Sequence, residues 1–410
     1  MSEIRVVELF AGVGGFRVGL ESASSRFHTI WVNQWEPGRK DQFAFACYER
    51  HYGNTASVDI NEDIGKVKDE IPEDFDLLVG GFPCQDYSVA ATNAKGIEGK
   101  KGVLWWHIRD IVESRRPMYV LLENVDRLLK SPASQRGRDF GIILRCLSDL
   151  GYSVEWRVIN AADYGFVQKR RRVFIFASRN DTVHYRDLEG AEPEWKLVEG
   201  GFFSRQFPVK PDKVAKKVNG FDIGPCRYRT LVDVSDGFQE AFFNAGVMIG
   251  TDVYTREVNP RYDGERAVLR DILERDVDEH FYQDGSIEKW KEMKGPKRIE
   301  RVNKRTGIRY TYSEGGIPFP DNLDGPGRTM LTSEGTRNRS SHLIEDPETG
   351  RCRILTPVEC ERMNGFPDGW TSGMSERQRY FTMGNALVVG LIERMGLEIE
   401  RLIDSECGQE

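Results

Sequence analysis

FDLLVGGFPCQDYS, residues 75–88, and VLLENVDRLL, residues 120–129, decide the reading of this chain. Each carries an apolar run too short for a buried helix and suited to a buried strand. Each then breaks into polar, reactive residues. The first run delivers Pro83-Cys84-Gln85 and the second delivers Glu123-Asn124. In open α/β sheets, ligands bind outside the carboxyl ends of the strands. A thiol and a carboxyl group brought to that edge make a nucleophile and a general acid.

Working outward, residues 1–180 alternate apolar runs with helix-like segments. IRVVELF (4–10), HTIWVNQW (28–35), DFDLLVGG (74–81), MYVLLEN (118–124), SVEWRVINA (153–161) and RRVFIFAS (171–178) read as strands. LWWHIRDIVESRR (104–116) has helical spacing. Strands alternating with helices predict an α/β fold with a doubly wound, mostly parallel sheet. From residue 181 to 326 the pattern decays into Gly, Pro, Asp and charge, which predicts a smaller α+β domain. Helical signals return at TPVECERMNGF (356–366), where Thr356, Pro357 and Glu359 form a capping-box start. A last helix follows Gly384-Asn385. The expected division is therefore 1–180 with 327–410, and 181–326 as a second domain.

At 410 residues, 39% hydrophobic and 30% charged, the chain is long enough for two globular domains. No apolar run approaches the ~18–20 residues of a membrane span, and no basic-then-apolar signal pattern opens the chain. A cytoplasmic protein with no membrane partner is expected. Seven cysteines with no CxxC pair suggest neither a disulfide framework nor a zinc site, so no metal is expected. The net charge of -7 does not by itself suggest a nucleic-acid partner. Its distribution is uneven, however. KRRR (169–172) is one basic cluster, and KRIERVNKRTGIR (297–309), which includes Lys304 and Arg305, holds six basic residues against one acidic. Arg328, Arg337 and Arg339 follow. Charge runs are usually solvated faces, and these gain weight only where other residues imply DNA.

LFAGVGGF (9–16) joins a strand to a helix, and Gly12, Gly14 and Gly15 let the backbone turn sharply beside a ligand. It is not GxGxxG, so a dinucleotide is not its first reading, and a tight structural turn reads equally well. Phe10 at the strand end suits stacking on an adenine ring. The next strand ends offer Gln34, Trp35 and Glu36, then Asp59 and Ile60, polar groups suited to ribose hydroxyls and an amino group. Cys84 follows paired glycines and a proline, a setting wasteful merely to bury a thiol. NAKGIEGKKG (93–102) reads as a closing loop or as plain surface. Glu123, behind four apolar residues, is expected to be partly desolvated and to favour its acid form. Gln168, Arg170 and Arg172 alternate, which places them on one face of a strand.

LFAGVGGF, GGFPCQDYS, ENV, QKRRR and GNALVVG resemble, in order and spacing, the motifs of the cytosine-C5 DNA methyltransferases of restriction-modification systems. LTPVECERMNGFPDGW (355–370) also resembles that family. The resemblance covers about 1–180 and 326–396. It implies a large domain that binds S-adenosylmethionine, a smaller target-recognition domain, and a cytosine flipped out of duplex DNA. It implies that Cys84 adds to cytosine C6, that Glu123 protonates N3, and that Arg172, with Arg170 beside it, contacts the base carbonyl. Ser88, beside Gln85, matches a contact to phosphate next to the flipped nucleotide. Phe10, Gly12, Gly14, Trp35, Asp59, Ile60, Phe82, Leu104 and Asn385 match cofactor contacts. Where the family usually has Asn-Glu before the aromatic residue of the second strand, this chain has Asn33-Gln34, which leaves Gln34 and Glu36 as alternative ribose partners. The expected DNA contacts further include Lys304, Arg305 and Arg328. A monomer acting on double-stranded DNA is expected, and the sequence does not decide whether a cognate restriction endonuclease is encoded separately. The alternative is an RNA-directed member acting on tRNA.

Overall fold

The apolar runs form the centre of a ten-stranded sheet in the computed structural model, which describes residues 2–82, 104–210, 217–302 and 307–408. The strands are β1 (Ile4–Leu9), β2 (Phe27–Asn33), β3 (Val58–Ile60), β4 (Leu77–Gly81), β5 (Tyr119–Val125), β6 (Tyr152–Asn160), β7 (Arg171–Arg179), β8 (Asn219–Asp222), β9 (Ala245–Ile249) and β10 (Asp252–Arg256). Their order is β3-β2-β1-β4-β5-β7-β6-β9-β10-β8. The first five pair in parallel. From β5 onward every neighbour runs antiparallel. The chain leaves β1 on one side for β2 and β3, then returns to β4 on the other. That reversal puts the switch-point crevice between the carboxyl ends of β1 and β4. The doubly wound α/β expectation holds, with its parallel half carrying the crevice.

Helices α1 (Gly15–Ala23), α2 (Phe43–Tyr52), α3 (Leu104–Arg115) and α4 (Arg138–Asp149) accompany these strands. Strand residues Val7, Leu9, Trp31, Leu78, Val120 and Leu122 join Trp105, Ile108, Phe140 and Ile143 of α3 and α4 in one apolar core. Fully burying a side chain of this size contributes about 1.5–3 kcal/mol. The C-terminal helix Val389–Cys407 packs on α1.

Two compact units emerge. One holds Met1–Tyr164, Arg171–Gly264 and Val389–Glu410, and the other holds Gly165–Arg170 and Glu265–Val388. The sequence pattern placed its changes at 180/181 and 326/327, whereas the packing changes at 264/265 and 388/389. The difference comes from β8, β9 and β10, which extend the main sheet through pairing of β9 with β6. The second unit contains a two-stranded ribbon, β11 (Lys297–Val302) with β12 (Arg309–Glu314), and a small pair, β13 (Ile344–Glu345) with β14 (Cys352–Arg353). It also contains α5 (Pro357–Asn364) and α6 (Glu376–Asn385). Helix α5 starts as its sequence predicts. The Thr356 hydroxyl accepts from the Glu359 amide, Glu359 accepts from the Thr356 amide, and Pro357 takes the first turn. Glu359 also binds Arg353 at 2.8 Å, and Arg353 binds Asp346 at 2.6 Å, a buried ionic knot with every charge partnered.

Candidate active site

The carboxyl ends of β4 and β5 are stitched together by Asn124. Its amide donates to the Phe82 carbonyl at 2.7 Å, and its own oxygen accepts from Val125 N–H at 2.8 Å. The Phe82 amide in turn donates to the Glu123 carbonyl at 3.3 Å. The exit from β4 toward Pro83-Cys84 is thereby tied to the strand end that carries Glu123. Cys84, Gln85 and Ser88 themselves lie outside the described residues. In the sequence Asn124 stood only as Glu123's neighbour, because nothing in a linear pattern reports a cross-strand bond.

Glu123 does not stand alone against apolar neighbours, as its sequence context suggested. Its Oε1 lies 2.7 Å from Arg172 Nε, across the antiparallel β5–β7 pairing, with both side chains largely buried. Arg172 Nη1 donates to the Arg171 carbonyl at 2.7 Å, and its Nη2 has no partner among the described residues. The pair sets a carboxyl group and a cationic donor side by side at one strand edge.

At the switch point, Phe10 leaves β1 with φ 55°, a conformation costly for a bulky residue and found where surrounding structure imposes it. Gly12 and Gly14 follow with φ 58° and 86°, and Gly14 caps α1. A Cβ on Gly12 would meet nothing within 4 Å, so the turn borders open space. The Gly12 amide donates to Gln34 Oε1 at 2.7 Å, and Asn61 donates to the Gln34 carbonyl at 2.6 Å. The Gln34 side-chain acceptor is therefore spent on holding the turn. Nearby strand ends carry two buried acceptors with no hydrogen-bond partner among the described residues, Glu36 Oε2 and Asp59 Oδ1. Burial pushes both carboxyls above the ordinary range. Trp35 and Ile60 are half-buried beside them, Phe82 is buried against Trp105, and Leu104 opens α3 on the same core. Two acceptors short of donors fit ribose hydroxyls and an adenine amino group, and the open glycine turn fits a ligand passing close to the backbone.

A family model of C-5 cytosine-specific DNA methylases matches residues 4–401. The chain belongs to this family. It is 48% identical to Type II methyltransferase M.Sau3AI of Staphylococcus aureus, over 100% of this chain and 98% of that one. It is 34% identical to Type II methyltransferase M.HhaI of Haemophilus parahaemolyticus, over 97% and 95%. In fold it is similar to the Dnmt2 methyltransferase of S. pombe, with TM-score 0.59 and 17% identity over 98% of this chain and 99% of that chain. As a DNA (cytosine-5)-methyltransferase of the restriction-modification type, it has its expected motifs on both units.

Several expected site residues turn out to be engaged elsewhere in the methylase. Arg170 is buried, with Nη1 donating to the Met330 carbonyl and Nη2 to the carbonyls of Gly384 and Asn385, at 3.1–3.3 Å. It clasps backbone within the second unit, while Arg172 belongs to the first. The alternation of QKRRR suggested a shared face, but the chain crosses from one unit to the other between these residues. Asn385, expected at the cofactor, ends α6 in the second unit. Arg328 was expected on DNA. Its guanidinium instead binds Asp321 at 2.7 and 3.2 Å and the carbonyls of Ser340 and Ser341, which leaves it little capacity for phosphate. Lys304 and Arg305 lie outside the described residues. Among the described residues, no group of three or more His, Cys, Asp or Glu could hold a metal, and no helix is long and apolar enough to cross a membrane.

Beneath the glycine turn lies a network the sequence did not disclose. Arg17 Nη1 donates to the Tyr48 hydroxyl at 3.1 Å and its Nε pairs with Glu21 at 2.7 Å, while its guanidinium stacks 3.9 Å over the Tyr52 ring. Tyr48 donates to Glu8 Oε2 at 3.4 Å, and Glu8 Oε1 is buried without a partner among the described residues. Burial pushes the Glu8 carboxyl up to about 8, against the opposing pull of Arg17 and Tyr48. The neutral carboxyl's stabilisation is thus complete below the ordinary 4.5 and is lost as pH rises through about 8. Glu8→Gln should flatten the pH dependence of unfolding free energy across that window, by an amount on the order of a few kcal/mol. Denaturant melts of both proteins at matched pH test this, and parallel curves would show that Glu8 is ionised throughout.

Proposed function

We propose that the methylase transfers a methyl group from S-adenosylmethionine to C5 of a cytosine flipped out of a specific duplex DNA sequence, through a covalent bond between Cys84 and C6. The observation that carries this reading is the Glu123–Arg172 pair, held at the carboxyl edge of the sheet and laced through Asn124 to the strand exit leading into Pro83-Cys84. Cys84 Sγ, as thiolate, adds to C6. Glu123 delivers a proton to N3, and Arg172 Nη2 donates to the base carbonyl oxygen, so charge entering the ring is offset as it develops. C5 then carries the nucleophilic electron pair of an enamine. The cofactor supplies, when bound, the electrophilic sulfonium methyl. Loss of the C5 proton expels the Cys84 thiolate, and N3 returns its proton to Glu123, which restores the neutral ring.

For the cofactor, Phe10 would stack on adenine, Asp59 would accept from its amino group, and Glu36 would take the ribose hydroxyls. Glu36 suits that role better than Gln34, whose oxygen already accepts from the Gly12 amide. Sequencing of 5-methylcytosine in DNA from cells expressing the protein tests the function and reveals the target. A parallel assay on RNA distinguishes the RNA-directed alternative. Incorporation into RNA and none into DNA would overturn the reading.

Target recognition fits the ribbon β11–β12. Both faces are mostly exposed, and Arg298, Arg301 and Arg309 stand among the exposed Ile299, Val302 and Tyr310. A two-stranded hairpin without a covered face is marginal in water, and the major groove admits such a ribbon. Arg339 braces its base by donating to the carbonyls of Gly295 and Gly315, which flank the two strands. Neutralising Lys304 and Arg305, which fall between the two strands in sequence, should weaken DNA binding and reduce the log–log salt slope by about 1.8, at about 0.9 per phosphate contact. Cofactor affinity should hold. An unchanged slope would show that these two residues make no phosphate contact.

A further inference from the structure

The ribbon β11–β12 presents two faces of different chemistry. Directly paired residues share a face, so Ile299 with Tyr312 and Arg301 with Tyr310 line one of them. Arg298, Glu300, Val302, Arg309, Thr311 and Ser313 line the other, which carries no aromatic ring. On the first face Arg301 reaches diagonally from its partner Tyr310 to Tyr312. It lays its guanidinium over that ring, with Cζ 4.0 Å from the centroid. No hydrogen-bond acceptor or carboxylate among the described residues engages the guanidinium, so its donors are unspent while the ring restrains it. The ring is itself anchored. The Tyr312 hydroxyl donates to Glu314 Oε1 at 3.1 Å, and Glu314 Oε2 lies 3.5 Å from Arg339 Nε. Arg339 in turn donates to the carbonyls of Met293 and Gly295 at 2.9 and 2.5 Å.

An arginine meant for phosphate needs only reach and charge, and Arg298 and Arg309 have both, exposed on the other face. Phosphates fix register, whereas a base edge offers hydrogen-bonding groups at set positions in the groove. A guanidinium held by stacking loses less freedom when it binds, and its parallel donors match two acceptors at once. In the major groove only guanine shows two acceptors together, O6 and N7. Adenine shows an acceptor beside a donor, thymine one acceptor and a methyl group, and cytosine a donor. Ile299 and Tyr310, 44% and 46% exposed on the same face as Arg301, add apolar surface suited to base edges rather than to hydrated phosphates. Six basic residues against one acidic between 297 and 309 supply the charge that draws DNA to this ribbon.

We propose that Arg301, laid on Tyr312, reads one guanine of the target sequence through O6 and N7 in the major groove, with Tyr312 as its positioning residue. The inference rests on the reading of the ribbon as the target-recognition element, and names the face, the residue and the base.

The test uses the full-length protein. Wild type and Arg301→Gln are expressed in cells free of other cytosine methylases, and 5-methylcytosine is sequenced. The wild type should mark one sequence. Arg301→Gln should mark that sequence and its variants at one G·C position, with the cognate rate down roughly ten- to hundredfold, the range of one bidentate base contact. With S-adenosylhomocysteine present, the purified variant should show a raised DNA Kd but an unchanged log–log salt slope. A positive charge is gone, yet no phosphate contact is lost. Replacing that guanine by 7-deazaguanine, which lacks the N7 acceptor, should raise the wild-type Kd roughly tenfold and leave Arg301→Gln unmoved. Tyr312→Leu should relax the same position, and Tyr312→Phe, which keeps the ring, should restore it. Full discrimination by Arg301→Gln at every position overturns the assignment. So does a wild-type Kd indifferent to 7-deazaguanine at each guanine of the target in turn, a result that needs no variant to fold. If neutralising Lys304 and Arg305 still lowers the salt slope, the ribbon stays on DNA and only the role of Arg301 falls. If that slope also holds, the ribbon reading falls with it.

Discussion

Cys84→Ala abolishes methyl transfer, with an expected loss on the order of 10⁶-fold, the scale seen when a covalent nucleophile is deleted from an enzyme. Without the sulfur, C6 has no partner and C5 never gains the electron pair that attacks the methyl group. Binding should survive. The groups proposed for the cofactor, Phe10, the glycine turn, Glu36 and Asp59, are held by β1, β2 and β3 and by the Gly12–Gln34 bond, none of which includes residue 84. Isothermal titration of the cofactor and a methylation assay on one preparation separate the two effects. With the wild-type enzyme, DNA carrying 5-fluorocytosine at the target should yield a denaturation-resistant adduct, because fluorine does not leave as a proton does. Turnover by Cys84→Ala, or a failure to trap any adduct with cofactor present, would sink the covalent route.

The centre of the parallel half was legible because β1, β4 and β5 are almost wholly buried and so read as unbroken apolar runs. The glycine turn and the Pro-Cys exit were legible for a related reason, since a strand end facing a ligand shows an abrupt change of residue type. The antiparallel extension was not. Strand β9 is the five-residue AGVMI, whose Gly246 would carry no strand propensity on its own. It belongs there because Trp156 of β6 fills the space where a Cβ would stand, with ring atoms 1.9–2.4 Å away. Only the partner strand explains the glycine. The arginines show the same limit. Arg170, Arg172 and Arg328 look alike in sequence, yet backbone carbonyls claim the first, Glu123 the second and Asp321 the third. A cation's role depends on which acceptors the fold brings to it, and that information is not local.

Glu123→Gln should slow methylation by roughly 10²–10⁴-fold, the usual share of a positioned general acid. The substitution is nearly isosteric, and a glutamine oxygen can take the place of the carboxyl oxygen that now lies 2.7 Å from Arg172 Nε. Cross-strand geometry and the Asn124 lacing should therefore persist, and affinity for DNA and cofactor should change little. What disappears is a proton to deliver to N3 as Cys84 adds to C6. The ring must then take up the sulfur's electron pair with no matching charge at N3, which raises the barrier of that step. Single-turnover rates decide the matter, because multiple-turnover rates also include product release. A loss confined to the chemical step, with unaltered Kd values, assigns proton delivery to Glu123. A normal single-turnover rate would reduce Glu123 to the residue that orients Arg172, and the proton at N3 would then have to come from another donor at this strand edge.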